Sequence, residues 1–279
     1  MKNRNASPKL RMVSWNMARS QEAWDVLMKD RQLDIALLQE AVKPDRDIFR
    51  SNQKIEDRWF IQGYYKELCT SVVGLSDRVK VHLLDHGRKG ESDIEKLRVS
   101  LPGTIAAAEV TIPGEKDIIV VSIYSNWEEP LKKKQPKFAD ASAHRIISDL
   151  SALVWNKKDQ RIIIAGDWNI YFGYGDWGKE DWKNRYDTVF SRMDALGLKF
   201  IGPQFPNGIQ AEPWPQYLPK DSKNVPTFRK HKNDPSTATD QLDFVFASTD
   251  IAERVKVKAL NTPEEWGPSD HCRVLIELD

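Results

Sequence analysis

The sequence has little cysteine: Cys69 and Cys272 are the only two among 279 residues. They are too few for a disulfide framework and form no CxxC pair. A reducing, cytoplasmic setting is expected. Long hydrophobic runs are also missing. None approaches the ~18 residues of a membrane span, so no membrane partner is expected. Met1 to Arg11 lacks the apolar core of a secretory signal. Charge of one sign is missing as well: 42 Lys and Arg face 41 Asp and Glu, a net charge of +1. Such a balance does not advertise a polyanion partner, although a local patch remains open. With 14 glycines and 15 prolines, both near ordinary usage, the chain is neither collagen-like nor low-complexity.

What is present reads as a globular chain, with 40% hydrophobic and 30% charged residues. No linker or internal repeat divides it, so one domain over 1–279 is expected, with 1–9 as a flexible start. Strand patterns fall at Leu10–Trp15, Ile35–Gln39, Ser71–Leu75, Val79–Leu84, Ile105–Ile112, Ile118–Tyr124, Arg161–Ala165, Leu242–Ala247, Val255–Leu260 and Val274–Leu278. Some alternate; others are continuous β-branched runs of the kind buried on both faces. Helical spacing marks Glu22–Asp30, Ala139–Trp155 and the run Tyr186, Val189, Phe190, Met193, Leu196, which Gly197 stops. Residues 199–227, rich in proline and glycine, read as a long ordered loop. The mixture implies an α/β chain with two β-sheets and helices outside them.

Three signals carry less than their spelling suggests. Gly173-Tyr-Gly175-Asp-Trp-Gly178 matches GxGxxG, but the dinucleotide motif needs its first glycine directly at a strand end, and here Asp167 to Gly173 intervene. His82 and His86 lie four apart in an alternating, strand-like stretch, where that spacing is ~13 Å and too long to share a metal. Lys132-Lys133-Lys134 reads as a solvated loop.

Five polar signals sit at strand ends: Ser14-Trp15-Asn16, Gln39-Glu40, Gly166-Asp167-Trp168-Asn169, Gln241-Leu242-Asp243 and Ser269-Asp270-His271. An Asp or Asn after a strand is ordinarily a turn residue. Three Asp signals, a Glu, two Asn and a His in one chain are harder to assign to turns. Carboxylate and amide oxygens suit a hard cation such as Mg²⁺ rather than zinc.

In this order, WN, QE, GDxN, LDxxF and SDH, the chain resembles the endonuclease/exonuclease/phosphatase superfamily, the DNase I-like phosphodiesterases, from about Met12 to its end. The resemblance implies a four-layer sandwich, two packed mixed β-sheets flanked by helices, that hydrolyses phosphoesters with Mg²⁺ or Mn²⁺. It implies Glu40 as the principal metal carboxylate, Asn16 as an amide near the metal, and Asp270 as a second metal-side or phosphate-side carboxylate. Asp167 and Asn169 would orient the attacking water and hold the phosphate. His271 would pair with Asp243, and Tyr124 would lie near the scissile phosphate. Either His271 removes the water's proton, or Asp167 does so while a protonated His271 clamps the phosphate; both assignments stay open. The chain departs from the pattern in Tyr124-Ser125-Asn126, where a proline is missing and the asparagine comes early. It departs also at Gln241, where an arginine is common, and at Trp168.

The ten tryptophans bear on substrate. Tyr171, Phe172, Tyr174, Trp177, Trp182 and Tyr186 follow GDxN, interleaved with Lys179, Lys183 and Arg185, and aromatics beside cations stack bases. Phe228 to Lys232 adds a basic stretch before the Asp243 strand. Asn126, Arg145, Trp168, Trp177, Trp182 and Arg229 are the expected substrate contacts. The competing expectation is that these aromatics pack the 199–227 loop, as Trp214 between two prolines suggests. The sequence thus points to a nuclease acting on DNA, with endonuclease slightly preferred and a monomer assumed. A phosphatase or phosphodiesterase on a small phosphorylated metabolite or inositol phosphate is the alternative. A non-catalytic binding module is disfavoured by the intact polar set.

Overall fold

Ile118 to Tyr124 is buried along its whole length, as a strand covered on both faces must be. Around it a computed structural model describes residues 8–44, 69–87, 96–127, 138–156, 161–230 and 234–279. Residues 1–7 of the expected flexible start, Lys132 to Lys134, and His231 and Lys232 lie outside the described residues.

The elements run β1 (Leu10–Asn16), α1 (Glu22–Lys29), β2 (Ile35–Gln39), β3 (Ser71–Gly74), β4 (Lys80–Leu83), β5 (Ile105–Thr111), β6 (Ile118–Tyr124), α2 (Ala139–Asn156), β7 (Arg161–Asp167), α3 (Glu180–Ala195), β8 (Leu198–Gly202), β9 (Asp243–Ser248), β10 (Val255–Leu260), α4 (Pro263–Trp266) and β11 (Arg273–Leu278). One sheet has the order β10-β11-β1-β2-β3, the other β4-β5-β6-β7-β9-β8. Each is mixed: β1 and β2 run parallel, as do β6 and β7, and their other neighbours are antiparallel. Two packed mixed sheets flanked by helices are therefore observed. The expected unbroken loop over 199–227 is corrected at its start. Leu198–Gly202 alternates weakly, yet it pairs with β9 as an edge strand.

Strand parity sorts the side chains into three apolar layers. Met12, Ile35, Leu37, Val120, Ile163, Val245, Val274 and Ile276 meet between the sheets. Val13, Trp15, Ala36 and Leu38 face outward onto Trp24 and Leu27 of α1. Ile119, Val121, Ile162, Ile164, Phe244 and Phe246 face α2 and α3, which bury Ala143, Ile146, Ile147 and Leu150, and Tyr186, Val189 and Met193.

The layer between the sheets turns polar at one edge. Ser14, Asn16, Gln39, Ser122, Tyr124, Asp167 and Asp243 continue its parity and are all buried. Gln39 Nε2 donates across the sandwich to Ser122 Oγ at 2.8 Å, and Ser122 Oγ donates to the Leu38 carbonyl at 2.9 Å. Registers fix the rest: Asn16 lies opposite Gln39, and Asp167 lies between Tyr124 and Asp243. The parallel strands end at this edge, whereas antiparallel β9 and β11 begin there. Six separate stretches of sequence thereby deliver polar side chains to one place.

Candidate functional site

Each delivered side chain is tied to the next. Tyr124 OH donates to Glu40 Oε1 at 3.0 Å, and Asn16 Nδ2 donates to the same oxygen at 3.2 Å. Asn16 Nδ2 also donates to Asp167 Oδ2 at 3.0 Å, joining the two sheets. Asn169 donates its backbone N–H to Asp167 Oδ1 at 3.1 Å and its amide to Oδ2 at 3.0 Å. His271 Nε2 stands 3.7 Å from Asp167 Oδ2, and Nδ1 lies 2.8 Å from Asp243 Oδ2. The result is one line: Tyr124, Glu40, Asn16, Asp167, His271, Asp243.

Backbone groups lock the line in place. The Trp15 indole N–H donates to the His271 carbonyl at 2.9 Å. Ser269 Oγ donates to the Asn16 carbonyl at 2.6 Å and accepts the His271 N–H at 3.0 Å. Thr227 Oγ1 accepts the backbone N–H groups of Leu242 and Asp243 at 3.0 and 3.1 Å. Trp15 and Ser269 stand in the WN and SDH motifs with no role assigned from sequence, and Thr227 is not marked by any motif.

Burial sets the electrostatics. Burial works against a charged His271 ring, but the carboxylates of Asp243 and Asp167 outweigh it and raise the pKa. Burial likewise raises Asp167, with Asp243 and Glu40 adding like charge against the pull of His271 and Asn16. Tyr124 is held as a neutral phenol, first by burial and then by the charges of Glu40 and Asp167. Asp243 Oδ1 is buried with no hydrogen-bond partner among the described residues.

The line opens into a cleft of about 720 Å³. Arg19, Glu40, Tyr124, Trp127, Asp167, Asn169, Asp270 and His271 form one end. Tyr171, Asp176, Trp177, Tyr186, Tyr217 and Asp240 form the other, with Phe228, Lys230 and Leu242 between. Five described non-glycine residues take left-handed φ angles, and four of them, Arg19 (57°), Glu40 (44°), Asn169 (52°) and Trp177 (55°), line this cleft. Such strain collects where side-chain placement outweighs backbone comfort.

Glu40 offers hard carboxylate oxygens at this end, which fits a divalent cation such as Mg²⁺; Asn16 turns its amide nitrogen to Glu40, and its Oδ1 accepts the Ala18 N–H at 2.9 Å. Glu40 Oε2 also accepts from Arg19 Nε at 3.2 Å. Asp270 lines the cleft beside His271, and among the described residues no hydrogen bond joins it to Glu40 or Asn16. Asp167, Asp243 and His271 also place one ligand atom each within 4.8 Å of one another. There the histidine Nδ1 is already engaged by Asp243, which reads as a hydrogen-bonded pair rather than a cation cage. His82 is exposed, in keeping with a surface strand.

The expected substrate contacts divide. Trp177 is 78% exposed at the cleft mouth. Trp168 is corrected: it is fully buried, edge-on to Phe246 at 5.2 Å, because it continues the parity of Ile162 and Ile164 toward the helices. Trp182 lies under the Arg185 guanidinium, 3.9 Å from its ring centroid, and is not part of the cleft lining. Arg145 is half-buried on α2, away from the lining. Asn126 gives its backbone N–H to Ser142 Oγ at 2.9 Å. Arg229 braces the histidine loop, donating its N–H to the Asp270 carbonyl at 2.8 Å and Nη2 to the Ser269 carbonyl at 3.1 Å. Phe172 packs on Phe190 and Phe200 at 4.8 and 4.5 Å, so part of the aromatic run is core. Tyr217, from within the proline-rich loop, was missed and packs against both Tyr174 and Trp177.

No family model matches the chain, and no curated protein matches it. Solved structures do. The endonuclease domain of TRAS1, a telomere-specific non-LTR retrotransposon, is similar at 15% identity and a TM-score of 0.61, over 96% of this chain and 98% of that one. The 3′–5′ exonuclease NExo from Neisseria meningitidis is similar at 18% identity and a TM-score of 0.57, over 97% and 100%. A mannosyl-6-phosphatase from Bacteroides thetaiotaomicron is similar at 15% identity and a TM-score of 0.55, over 97% and 99%.

Proposed function

Because the chain has the DNase I-like fold of the endonuclease/exonuclease/phosphatase superfamily, we propose that it hydrolyses phosphoester bonds at the strand-end line with a divalent cation. The observation that carries this reading is the unbroken run from Tyr124 through Glu40, Asn16 and Asp167 to the His271–Asp243 pair. Glu40 would hold Mg²⁺ or Mn²⁺ with the Asn16 amide beside it, and Asp270 borders that end of the cleft. When bound, the cation supplies Lewis-acid stabilisation of charge on the phosphoryl oxygens.

The chain's own groups do the rest. A ring with a carboxylate oxygen at each nitrogen holds both protons, so His271 serves as a cationic donor to a phosphoryl oxygen. Asp243 fixes its orientation. Asp167, set by the two donors of Asn169, is the acceptor for the attacking water's proton. Tyr124 OH, whose one proton goes to Glu40 Oε1, holds that carboxylate in place. This is the second of the two assignments left open by the sequence.

The nuclease reading has one observation of its own. Trp177 stands exposed at the mouth with Lys230 along the cleft, as a base-stacking platform would. It draws on the likeness to TRAS1 and NExo, whereas the small-phosphoester reading draws on the mannosyl-6-phosphatase. Supercoiled plasmid, single-stranded DNA, RNA, phenyl phosphate and bis(4-nitrophenyl) phosphate, each with Mg²⁺, separate them. Hydrolysis of an aryl ester with weakened metal activation in Glu40→Gln supports the general reading. Inertness toward every ester refutes it. Plasmid nicking favours an endonuclease.

A further inference from the structure

We propose that the outer end of the cleft is a subsite for a hydroxyl-bearing ring, so that the phosphoester this site takes is a small sugar phosphate. The inference rests on the hydrolase reading above and names its substrate class.

Charge is the first argument. Phosphate chemistry accounts for the acids at the Glu40 end, but Asp176 and Asp240 at the far end are surplus to it. A polynucleotide would lay its neighbouring phosphates along the same cleft and calls for cations in surplus, whereas here the charge of Lys230 already acts on Asp240 and those of Lys179 and Arg185 act on Asp176. The hydroxyls of a sugar, in contrast, are donors that seek acceptors.

Hydrogen bonding is the second. Asp240 Oδ1 accepts from Tyr217 OH at 2.9 Å and from Thr239 Oγ1 at 3.4 Å. Asp176 Oδ1 accepts from Tyr186 OH at 3.1 Å. Among the described residues nothing donates to Oδ2 of either side chain. Both carboxylates are thus held in position by phenols with an oxygen to spare. Behind the lining of the cleft, the Tyr174 hydroxyl is buried and has no partner among the described residues. Its ring stacks on Tyr171 at 4.8 Å and lies 5.9 Å from Tyr217, and the charges of Asp240 and Asp176 both act on it.

Shape is the third. Trp177 keeps a left-handed backbone, φ 55°, and an exposed indole braced edge-on by Tyr217 at 5.9 Å. A bulky residue in that conformation is strained and gains no burial in return. A sugar has an apolar C–H face for such a ring and a rim of hydroxyls for the two carboxylates.

The test compares glucose 6-phosphate with cyclohexyl phosphate, a six-membered ring without hydroxyls. Binding to the purified chain is measured calorimetrically in EDTA, and phosphate release is measured in Mg²⁺. The expectation is at least about tenfold tighter binding of the sugar phosphate, lost in Asp240→Asn and in Trp177→Ala. Trp177 is exposed, so its truncation serves even if Asp240→Asn fails to fold. Preference without release of either phosphate upholds the ring subsite but overturns a sugar phosphate as the substrate; the hydrolase reading falls only with inertness toward every ester above. Release without preference overturns the subsite and leaves the hydrolase reading standing. An oligodeoxynucleotide that displaces glucose 6-phosphate at lower concentration also overturns the subsite, in favour of a nucleic acid.

Discussion

At the scale of residues, the His271–Asp243 pair acts as one unit. Asp243→Asn keeps the ring but removes the charge that orients it, so kcat/KM is expected to fall less than in His271→Ala, which should lose on the order of 10³-fold. The double variant should be scarcely slower than His271→Ala alone; steady-state rates on an aryl phosphoester check this, and additive losses would show two independent groups. Asp34 makes a different kind of contribution. Burial opposes its charge, but Arg78 at 2.6 and 2.9 Å, Ser76 at 2.5 Å and the Arg11 N–H at 2.9 Å outweigh burial and lower its pKa. A lowered folded pKa gives stability that is full above the ordinary aspartate value, about 3.9, and is lost as pH falls through the folded one. Asp34→Asn should therefore cost about 2 kcal/mol at neutral pH. The deficit should shrink in urea melts run below that range; a deficit independent of pH would remove the ionic explanation.

At the scale of elements, β7 shows what was legible in the sequence and what was not. Its β-branched run predicts a buried strand, and the polar residues that follow predict a site. The same alternation also assigns Trp168 to the helix-facing core, a signal that parity offers and motif reading passes over. Trp168→Ala should cost about 3–5 kcal/mol as a cavity in the core. Trp177→Ala should stay within about 0.5 kcal/mol of wild type, since the indole is exposed. Thermal melts of the two compare them directly. Gly166 is the second hidden constraint: with φ 156°, a Cβ there would lie 2.0 Å from the Ile123 carbonyl oxygen. Gly166→Ala is expected to cost about 2–3 kcal/mol and to displace Asp167; unchanged melting would show that β6 can yield. β8 was illegible because Leu198 to Gly202 is short, carries Lys199 and runs into a proline-rich segment. Its strand state comes from pairing with β9, a long-range partner that local pattern does not reveal.

At the scale of the whole molecule, the near-zero net charge and the two sheets belong to one account. Neither sheet holds the chemistry alone: Asn16 and Glu40 come from one, Tyr124, Asp167 and Asp243 from the other, and His271 enters from the turn before β11. Packing the sheets face to face is what assembles the site, and Gln39 crossing to Ser122 ties them just beneath it. The strand ends and their chemistry could be read from sequence because polar residues interrupt apolar runs there. At the far end the run Tyr171, Trp177 and Tyr186 could be read after GDxN, but Asp176, Tyr217 and Asp240 could not, because their meeting depends on tertiary packing. The central claim is cation-assisted hydrolysis at these assembled strand ends. Its most direct test is the release of 4-nitrophenol from bis(4-nitrophenyl) phosphate by the purified chain, first with Mg²⁺, then after EDTA, then with Mg²⁺ restored in excess. The account predicts turnover that EDTA abolishes and Mg²⁺ recovers; full turnover in EDTA would contradict it.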